Sequence, residues 1–418
     1  MEKPKLFETK QQFLWTLFLL FSLFLMRMEG EYRTYREFIS KPFYFTYATV
    51  VNAYMKQKGK HTYQVVKLRS DEGRIFYTTT HQKKLLSQRR LRLQIFPDKK
   101  ITFTDFLGGF YVKSRIRAVE VPPHTLKTFL VEKVRTQHAE ALLASFYNAI
   151  FFSTPVPKKL RKKISLLGVS HLIALSGFHL GILWTIVYGG LLLCYRFFQQ
   201  RYFPYRYALL DVGMAAILLL GVYVWFVGAP PSLLRAYVMI VAGWMMLLLG
   251  IELLSFGFLA TIAFLLLFLS PALSVSLGFW LSLSGVFYIF LLLQYARHSP
   301  KLTVTLLLIP VGIFLLMLPV THLFFGTTSP CQLLSPLLSL LFIPFYPMAM
   351  LVHLIGSGAW FDSSLIWLFS LPDGGEEQML SWPMAAGYLL LSLAAVLSRK
   401  AYLLLWIAAV GYALYLFL

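Results

Sequence analysis

The densest group of polar side chains within the apolar part of this sequence lies between Gly168 and Gly181. The run GVSHLIALSGFHLG carries two histidines, His171 and His179, and a serine–glycine pair, Ser176 and Gly177. Polar groups at membrane depth cost free energy and therefore count as functional hypotheses. The small residues also favour close helix packing. We interpret this face as either the lining of a wet passage or a helix–helix seam.

This run could carry two kinds of chemistry, metal binding by the two histidines or nucleophilic catalysis by the serine. His171 and His179 are eight positions apart, so on one helix they lie about 80° apart around the axis. They do not ligate one metal ion there, and no metal or cofactor is expected. Ser176 with a histidine on another span, His322 or His353, suggests an intramembrane serine protease. That reading is the alternative, although no Gly-x-Ser-x-Gly elbow is present.

A second group follows a proline-rich break, where Ser232 and Arg235 stand at the start of a predicted helix. A cation in the first turn is unfavourable to the helix dipole, which indicates that another interaction holds it. Two interpretations stay open. Arg235 snorkels to the outer interface, or it is a fixed cation at a pore mouth that attracts phosphate.

The amino-acid composition indicates the class of protein that positions these residues. Of 418 residues, 58% are apolar and 14% are charged, against about 45–50% and about 25% in soluble domains. An ordinary soluble enzyme is therefore excluded. The formal net charge is +21, and the segment from Arg27 to Arg135 holds 23 Lys and Arg against 9 Asp and Glu. One basic block thus sits in a strongly apolar chain.

That basic block has the alternating pattern of β-strands. The pattern predicts an OB-like small β-barrel of five strands in residues 40–120, with strands at 43–54, 61–69, 73–80, 91–96 and 108–119. Its cations alternate with aromatic residues, as in a groove that binds single-stranded DNA. Attraction to anionic lipid is the other reading. The predicted DNA-binding residues are Arg69, Arg74, Lys83, Lys84, Arg89, Arg90, Arg92, Tyr63 and Tyr77.

The rest of the chain predicts a polytopic α-helical membrane protein. We divide it into an N-terminal anchor and linker (1–39), the β domain (40–120), a junction with a basic amphipathic helix (121–165) and a polytopic channel domain (166–418). About ten spans are expected: the anchor and helices near 169–195, 208–227, 233–250, 254–269, 276–295, 302–325, 331–355, 382–398 and 401–418. Segment 363–371 is too short to span. The positive-inside rule puts the N-terminus in the cytoplasm and the β domain outside.

Several ordered segments resemble ComEC-type competence proteins. The run from Gly168 to Gly181 is similar to the family motif Gly-x-x-His-Leu-x-Ala-x-Ser-Gly-x-His-x-Gly. Further matches lie near Glu140, at 232–236, at 278–282 with Ser282, and at 335–344 with Ser339. The family usually has Asn at the position of Ser339 and Gln at that of Trp280. The resemblance covers about residues 40 to 355.

The resemblance implies a bacterial inner-membrane channel, not an enzyme, that passes one DNA strand into the cytoplasm during natural transformation. A periplasmic DNA-receptor protein and a cytoplasmic DNA-pulling ATPase are the expected partners, because the sequence has no Gly-x-x-x-x-Gly-Lys-Ser/Thr loop. Membrane lipid is a further partner, and a homo-oligomer is left open. The chain ends at Leu418 without the metallo-β-lactamase-like domain of many relatives, so a separate nuclease is expected, or none. A small-molecule permease leaves the basic domain unexplained.

Overall fold

The computed structural model describes residues 6–58, 61–81, 86, 89–120, 125–251 and 255–418. The chain divides into two compact units. The N-terminal unit contains Phe7–Phe129 and Ala260–Leu277, and the helical unit consists mainly of Leu130–Leu259 and Gly278–Leu418.

The N-terminal unit begins with a long helix, α1 (Lys10–Ser40). Thr9 caps it, since its hydroxyl accepts a hydrogen bond from the Gln12 backbone amide and its own backbone amide donates one to the Gln12 side-chain oxygen. The first half of α1 is the apolar run predicted as an anchor. Its last turns carry Tyr35 and Phe38, which pack against the β-sheet core.

The same unit contains a six-stranded sheet with the strand order β5-β3-β2-β1-β4-β6. Neighbouring strands are antiparallel, except that β5 runs parallel to β3. The strands are β1 (Tyr44–Lys58), β2 (His61–Ser70), β3 (Ile75–Thr80), β4 (Arg90–Phe96), β5 (Phe110–Tyr111) and β6 (Lys113–Glu120), with helix α2 (Phe103–Gly108) between β4 and β5. The tight turn between β2 and β3 uses Gly73, whose φ of 85° suits glycine.

The prediction of a closed OB-like barrel is wrong, because the sheet is open and mixed. Its edge strands β5 and β6 form no ladder with each other in the described residues. A side-chain contact does join β3 to β6, since the Thr78 and Ser114 hydroxyls lie 2.7 Å apart. A sheet with one apolar face must cover that face. Here α1 and α2 cover it with Tyr35, Phe38 and Phe106, so the strands need not close on themselves.

Helices make up most of the rest of the described chain. In order they are α3 (Leu126–Arg135), α4 (Ala141–Phe152), α5 (Lys158–Leu166), α6 (Ser170–Ile173), α7 (Gly177–Tyr202), α8 (Ala208–Phe226), α9 (Pro231–Leu248), α10 (Phe256–Leu269), α11 (Leu277–Tyr295), α12 (Lys301–His322), α13 (Ser335–Leu354), α14 (Asp362–Ser370), α15 (Trp382–Leu397) and α16 (Arg399–Phe417). Two short strands, β7 (Thr327–Thr328) and β8 (Glu376–Glu377), pair with each other.

Eight helices in the described residues are long and apolar enough to cross a membrane. They are α1, α7, α8, α9, α11, α12, α16 and the segment Pro330–Leu354, which contains α13. The polytopic helical class is therefore confirmed. Two predicted spans, 254–269 and 382–398, are shorter apolar helices of 14 and 16 residues, so the count of about ten exceeds the helices of full length. The helix at 363–371 is short, as expected.

Candidate functional site

The helix predicted at 169–195 is broken in two. Helix α6 ends at Ile173, Ala174 and Ser176 are extended, and α7 starts at Gly177. Serine is a favoured residue at this position because its side chain satisfies free N–H groups of the first helical turn. The Ser176 hydroxyl accepts from the Phe178 amide at 3.3 Å.

His179 completes the cap of α7. The Ser176 amide donates to His179 Nδ1 at 3.3 Å, and the Ser176 hydroxyl lies at the same distance from that nitrogen. The imidazole is fully buried, with its ring edge-on to Phe342 and Tyr346. Its Nε2 has no hydrogen-bond partner among the described residues. The structure thus joins Ser176 and His179 in a capping pair.

Helix α9 holds the broken segment from one side. The Ser232 hydroxyl donates to the Leu175 carbonyl at 2.6 Å, which satisfies a main-chain oxygen freed by the break. A Cβ at Gly177 would lie 3.2 Å from the Ala236 Cβ. Glycine is therefore the residue that lets the start of α7 approach α9 this closely.

Helix α13 holds the first half of the motif. Gly168 has a φ of 68°, and a Cβ there would lie 3.3 Å from side-chain atoms of Gln332 and Ser335. The Ser335 hydroxyl donates to the Gly168 carbonyl at 3.1 Å. One turn further, Ser339 Oγ lies 3.2 Å from His171 Nε2 and donates to the Ser335 carbonyl at 2.8 Å.

Arg235 is buried in the helical unit, with only 3% of its surface exposed. Its guanidinium donates to the carbonyls of Gly278 (3.4 Å) and Phe279 (3.2 Å) and to the Ser282 hydroxyl. No Asp or Glu pairs with it in the described part of the chain. This burial does not fit the snorkelling interpretation. In the described residues the positive charge is balanced by dipoles and by the Phe279 ring, 5.9 Å away, and not by a carboxylate, a costly arrangement that favours an anion.

The predicted membrane residues therefore fall into three contacting pairs: His171 with Ser339, Ser176 with His179, and Arg235 with Ser282. No hydrogen bond joins Arg235 to either motif histidine among the residues described. The connection between the groups runs through α9, whose first turn holds both Ser232 and Arg235.

The contacts give the protease alternative no support. His322 Nε2 lies 3.0 Å from the Thr328 hydroxyl and its Nδ1 lies 2.9 Å from the Leu318 carbonyl. His353 is bonded to Ala349 and to His138. A catalytic serine needs a base that a third group orients. In the described residues, His179 Nε2 has no partner that could orient the ring.

A basic and aromatic face lies on the N-terminal sheet. On β1, Tyr47 is 38% exposed, and its ring contacts the guanidinium groups of Arg90 (5.0 Å) and Arg92 (5.8 Å) on β4. On β2, the Lys67 ammonium lies 5.5 Å from the Tyr77 ring on β3. These side chains alternate with the buried residues of their strands, so they share the face turned away from the core.

The predicted DNA-binding residues distribute unevenly around this face. Arg69 on β2 pairs in register with Thr49 on β1 and belongs to this face, and so does Tyr63, further along β2. Arg89 precedes β4 and is half-buried. Arg74 does not join the face, since it pairs with Glu31 at 3.2 Å and packs over Phe106. Lys83 and Lys84 lie outside the described residues.

Two members of this face, Tyr47 and Lys67, were missed from the sequence. Their signal was the alternation along β1 and β2, which places them beside Arg92 and Tyr77 in register. Reading every second residue of β1, rather than choosing the densest cations, would have found Tyr47.

The fold and these contacts define a multi-pass helical membrane protein with a polar motif at a broken helix. Residues 153–418 match a family described as "Competence protein", which is more than half of the chain. The chain belongs to this competence protein family, and the resemblance is confirmed.

Escherichia coli (strain K12) has a relative described as "Uncharacterized protein YcaI". It is 27% identical to this chain over 242 residues, which cover 52% of this chain and 32% of that relative. The match therefore spans about a third of the curated relative's length. No solved structure matches.

Proposed function

We propose that this protein is a channel of the bacterial inner membrane that passes single-stranded DNA into the cytoplasm during natural transformation. The observation that carries the proposal is the exposed face on which Tyr47 lies between Arg90 and Arg92. A single strand offers phosphates and unstacked bases together, and such a face binds both. Family membership of the helical unit supports the same function.

Binding on this face would combine charge with stacking. Arg90 is already paired with Asp71, whereas Arg92 and Lys67 offer cations for phosphate. Tyr47 and Tyr77 offer rings to the bases. Because aromatic rings stack on any base, we expect little sequence preference and strong salt dependence.

Passage through the membrane requires a site that tolerates phosphate in an apolar unit. Arg235 supports this step, because its buried charge has no carboxylate partner in the described residues. The broken segment between α6 and α7 supports it as well, since interrupted helices at membrane depth bring backbone groups to substrate pathways. His171 and Ser339 add polar groups beside that break.

The proposal includes an orientation and partners. The positive-inside distribution favours an N-terminal unit on the outer side, where DNA arrives. We propose that a periplasmic receptor delivers the DNA, that a cytoplasmic ATPase pulls it, and that the channel itself performs no covalent chemistry. A homo-oligomer is compatible with this scheme.

The first test is DNA binding by the purified full-length chain in a lipid environment. We expect salt-sensitive binding of a fluorescent single strand, and weaker binding once Arg92 is replaced by alanine. Anionic vesicles without DNA test the lipid alternative. If Arg92→Ala weakens vesicle binding and leaves DNA binding unchanged, the face is a lipid-binding surface and the proposal loses its main support.

A further inference from the structure

A second polar cluster of the helical unit joins three side chains that lie far apart in sequence. Both carboxylate oxygens of Asp362, the first residue of α14, lie 3.0 Å from Nδ1 of His138. His138 follows α3, and its Nε2 lies 2.9 Å from Nε2 of His353, near the end of α13. No local pattern indicates this cluster, because 215 positions separate the two histidines.

The cluster is tightly enclosed. The ring of Tyr147 on α4 stacks on His138 at 4.5 Å between centroids, with an angle of 9° between the planes. A Cβ at Gly358 would lie 2.8 Å from Nε2 of His353. The Gln137 side chain donates to the His353 carbonyl and accepts from the Gly358 amide. Because the surroundings are packed, the two facing nitrogens must satisfy each other.

Few ionisable groups face the cluster. Asp362 contacts it from α14, and the Tyr147 phenol packs against it from α4. On α3, Glu132 and Arg135 are exposed and pair with each other at 3.1 Å. Glu140, at the start of α4, is also exposed. The charge balance of the cluster is therefore set by Asp362 and the two imidazoles.

The hydrogen bonds fix the number of protons. His353 Nδ1 lies 2.6 Å from the Ala349 carbonyl, which only accepts, so this nitrogen carries a proton. An ionised Asp362 also only accepts, so His138 Nδ1 carries one as well. If both imidazoles were neutral, two lone pairs would face each other at 2.9 Å with no hydrogen between them. One more proton is required.

The geometry points to a proton-binding site formed by His138, His353 and Asp362. With the proton bound, an imidazolium at His138 balances the Asp362 carboxylate and donates to His353, so the cluster is neutral. Placing the same proton on Asp362 gives the same total. Without it, an uncompensated negative charge remains in a buried site, which costs free energy. The folded chain therefore retains this proton, and its loss breaks the contact between the two Nε2 atoms.

A metal ion does not explain the arrangement. Two imidazoles on one tetrahedral zinc, at about 2.05 Å each, hold their nitrogens about 3.3 Å apart with the ion between them. The nitrogens here are closer, and Asp362 binds the other nitrogen of His138. In the described residues no group of His, Cys, Asp and Glu has the arrangement of a metal site.

The proton has a structural consequence, because the site fastens the C-terminal end of α13. The N-terminal end of the same helix carries Ser335 and Ser339, which hold the motif. Loss of the proton thus releases one end of the helix whose other end positions His171. This inference does not depend on DNA transport.

Nuclear magnetic resonance of the full-length chain in lipid, labelled with ¹⁵N-histidine, tests the site directly. We expect a through-hydrogen-bond coupling between two Nε2 atoms near neutral pH, from one doubly protonated and one singly protonated ring. His353→Gln or His138→Gln, whichever folds, assigns the pair because each removes the coupling. Two neutral rings without coupling would overturn the proposal.

A pH titration supplies the second readout. We expect the coupling to disappear as the pH rises, because the bound proton dissociates. In Asp362→Asn the counter-charge is gone, so the coupling should be lost at a lower pH than in the wild-type chain. Asp373→Asn, at an exposed residue paired with Lys163, is the matched control and should leave the titration unchanged. An equal shift in both variants, or none in Asp362→Asn, would contradict the site.

Discussion

His171 Nε2 lies 3.2 Å from Ser339 Oγ, so the first histidine of the motif is positioned by a helix that starts more than 160 residues later. The Ser339 hydroxyl donates a hydrogen bond to the Ser335 carbonyl, and the Ser335 hydroxyl in turn donates one to the Gly168 carbonyl. The motif is therefore held by a chain of hydrogen bonds along one face of α13. The geometry of the motif therefore depends on α13 as well as on residues 168–181.

Removing the Ser339 hydroxyl should weaken this arrangement. In Ser339→Ala, His171 loses its side-chain hydrogen-bond partner, and we expect the free energy of unfolding to fall by about 0.5–1.5 kcal/mol. Ser339→Asn keeps a polar partner and matches the residue usual in the family, so it should retain more transformation than the alanine variant. Thermal unfolding in detergent and transformant counts measure the two effects. Equal transformation by wild type and Ser339→Ala would show that the contact is dispensable.

Gly177 should tolerate substitution poorly, because its Cβ would lie 3.2 Å from Ala236. We expect Gly177→Ala to lower the free energy of unfolding by about 1–3 kcal/mol through overpacking. Gly181, in the same helix, has nothing within 4 Å of its Cβ position. Gly181→Ala is therefore the matched control and should be neutral or slightly stabilising. Equal melting temperatures for the two variants would contradict the close approach of α7 and α9.

Arg235 should be required for transport beyond its effect on stability. Arg235→Met keeps an apolar stem but loses the charge, and we expect the number of transformants to fall by about 10- to 150-fold, the factor that corresponds to one charged hydrogen bond of about 1.5–3 kcal/mol. Arg235→Lys keeps the charge and should be intermediate.

Arg297→Met is the control for this series, since Arg297 is exposed and should be dispensable. Protein amount in the membrane must be measured beside transformation. If Arg235→Met accumulates normally and transforms like wild type, Arg235 is a packing residue and not a phosphate site.

The contributions of charge and of base stacking to DNA binding on the basic face should be separable by substitution. Arg92→Ala should lower the slope of log affinity against log salt by about 0.7 for one phosphate contact on a single strand. Tyr47→Ala should cost about 1–3 kcal/mol of binding free energy and leave that slope unchanged. Fluorescence titration of the full-length chain at several salt concentrations measures both.

Lys100→Ala serves as the control for the face, because Lys100 is an exposed cation in the turn after β4. It should change neither quantity by more than Arg92→Ala does. Equal losses in Lys100→Ala and Arg92→Ala, with no loss in Tyr47→Ala, would mean that only net charge matters and that no binding face exists.

The sequence predicted those features that local pattern determines. Apolar runs located the long helices, and alternation located the strands, because each signal lies within 10 to 30 consecutive residues. The break at Ala174–Ser176 escaped prediction, since its support from Ser232 appears only once α9 packs against this segment. The open sheet escaped for a similar reason, as α1 supplies the cover that a barrel would otherwise provide.

Long-range pairs set the limit of prediction for the site. From the sequence, His353 suggests only a base for Ser176, whereas its partners His138 and Asp362 come from other segments. Arg235 was recognised as unusual, but its burial against Gly278 and Phe279 was not. Period and spacing describe one element at a time, whereas these contacts join two or three.

The central claim, that this protein carries DNA across the inner membrane, is tested most directly in a deletion strain of the host bacterium given labelled DNA. Label in the cytoplasm, label retained outside the inner membrane and transformants are measured together. We predict that transformants and cytoplasmic label disappear while label outside the inner membrane persists, and that the wild-type chain restores both. Normal entry of the labelled strand into the cytoplasm of the deletion strain would contradict the claim.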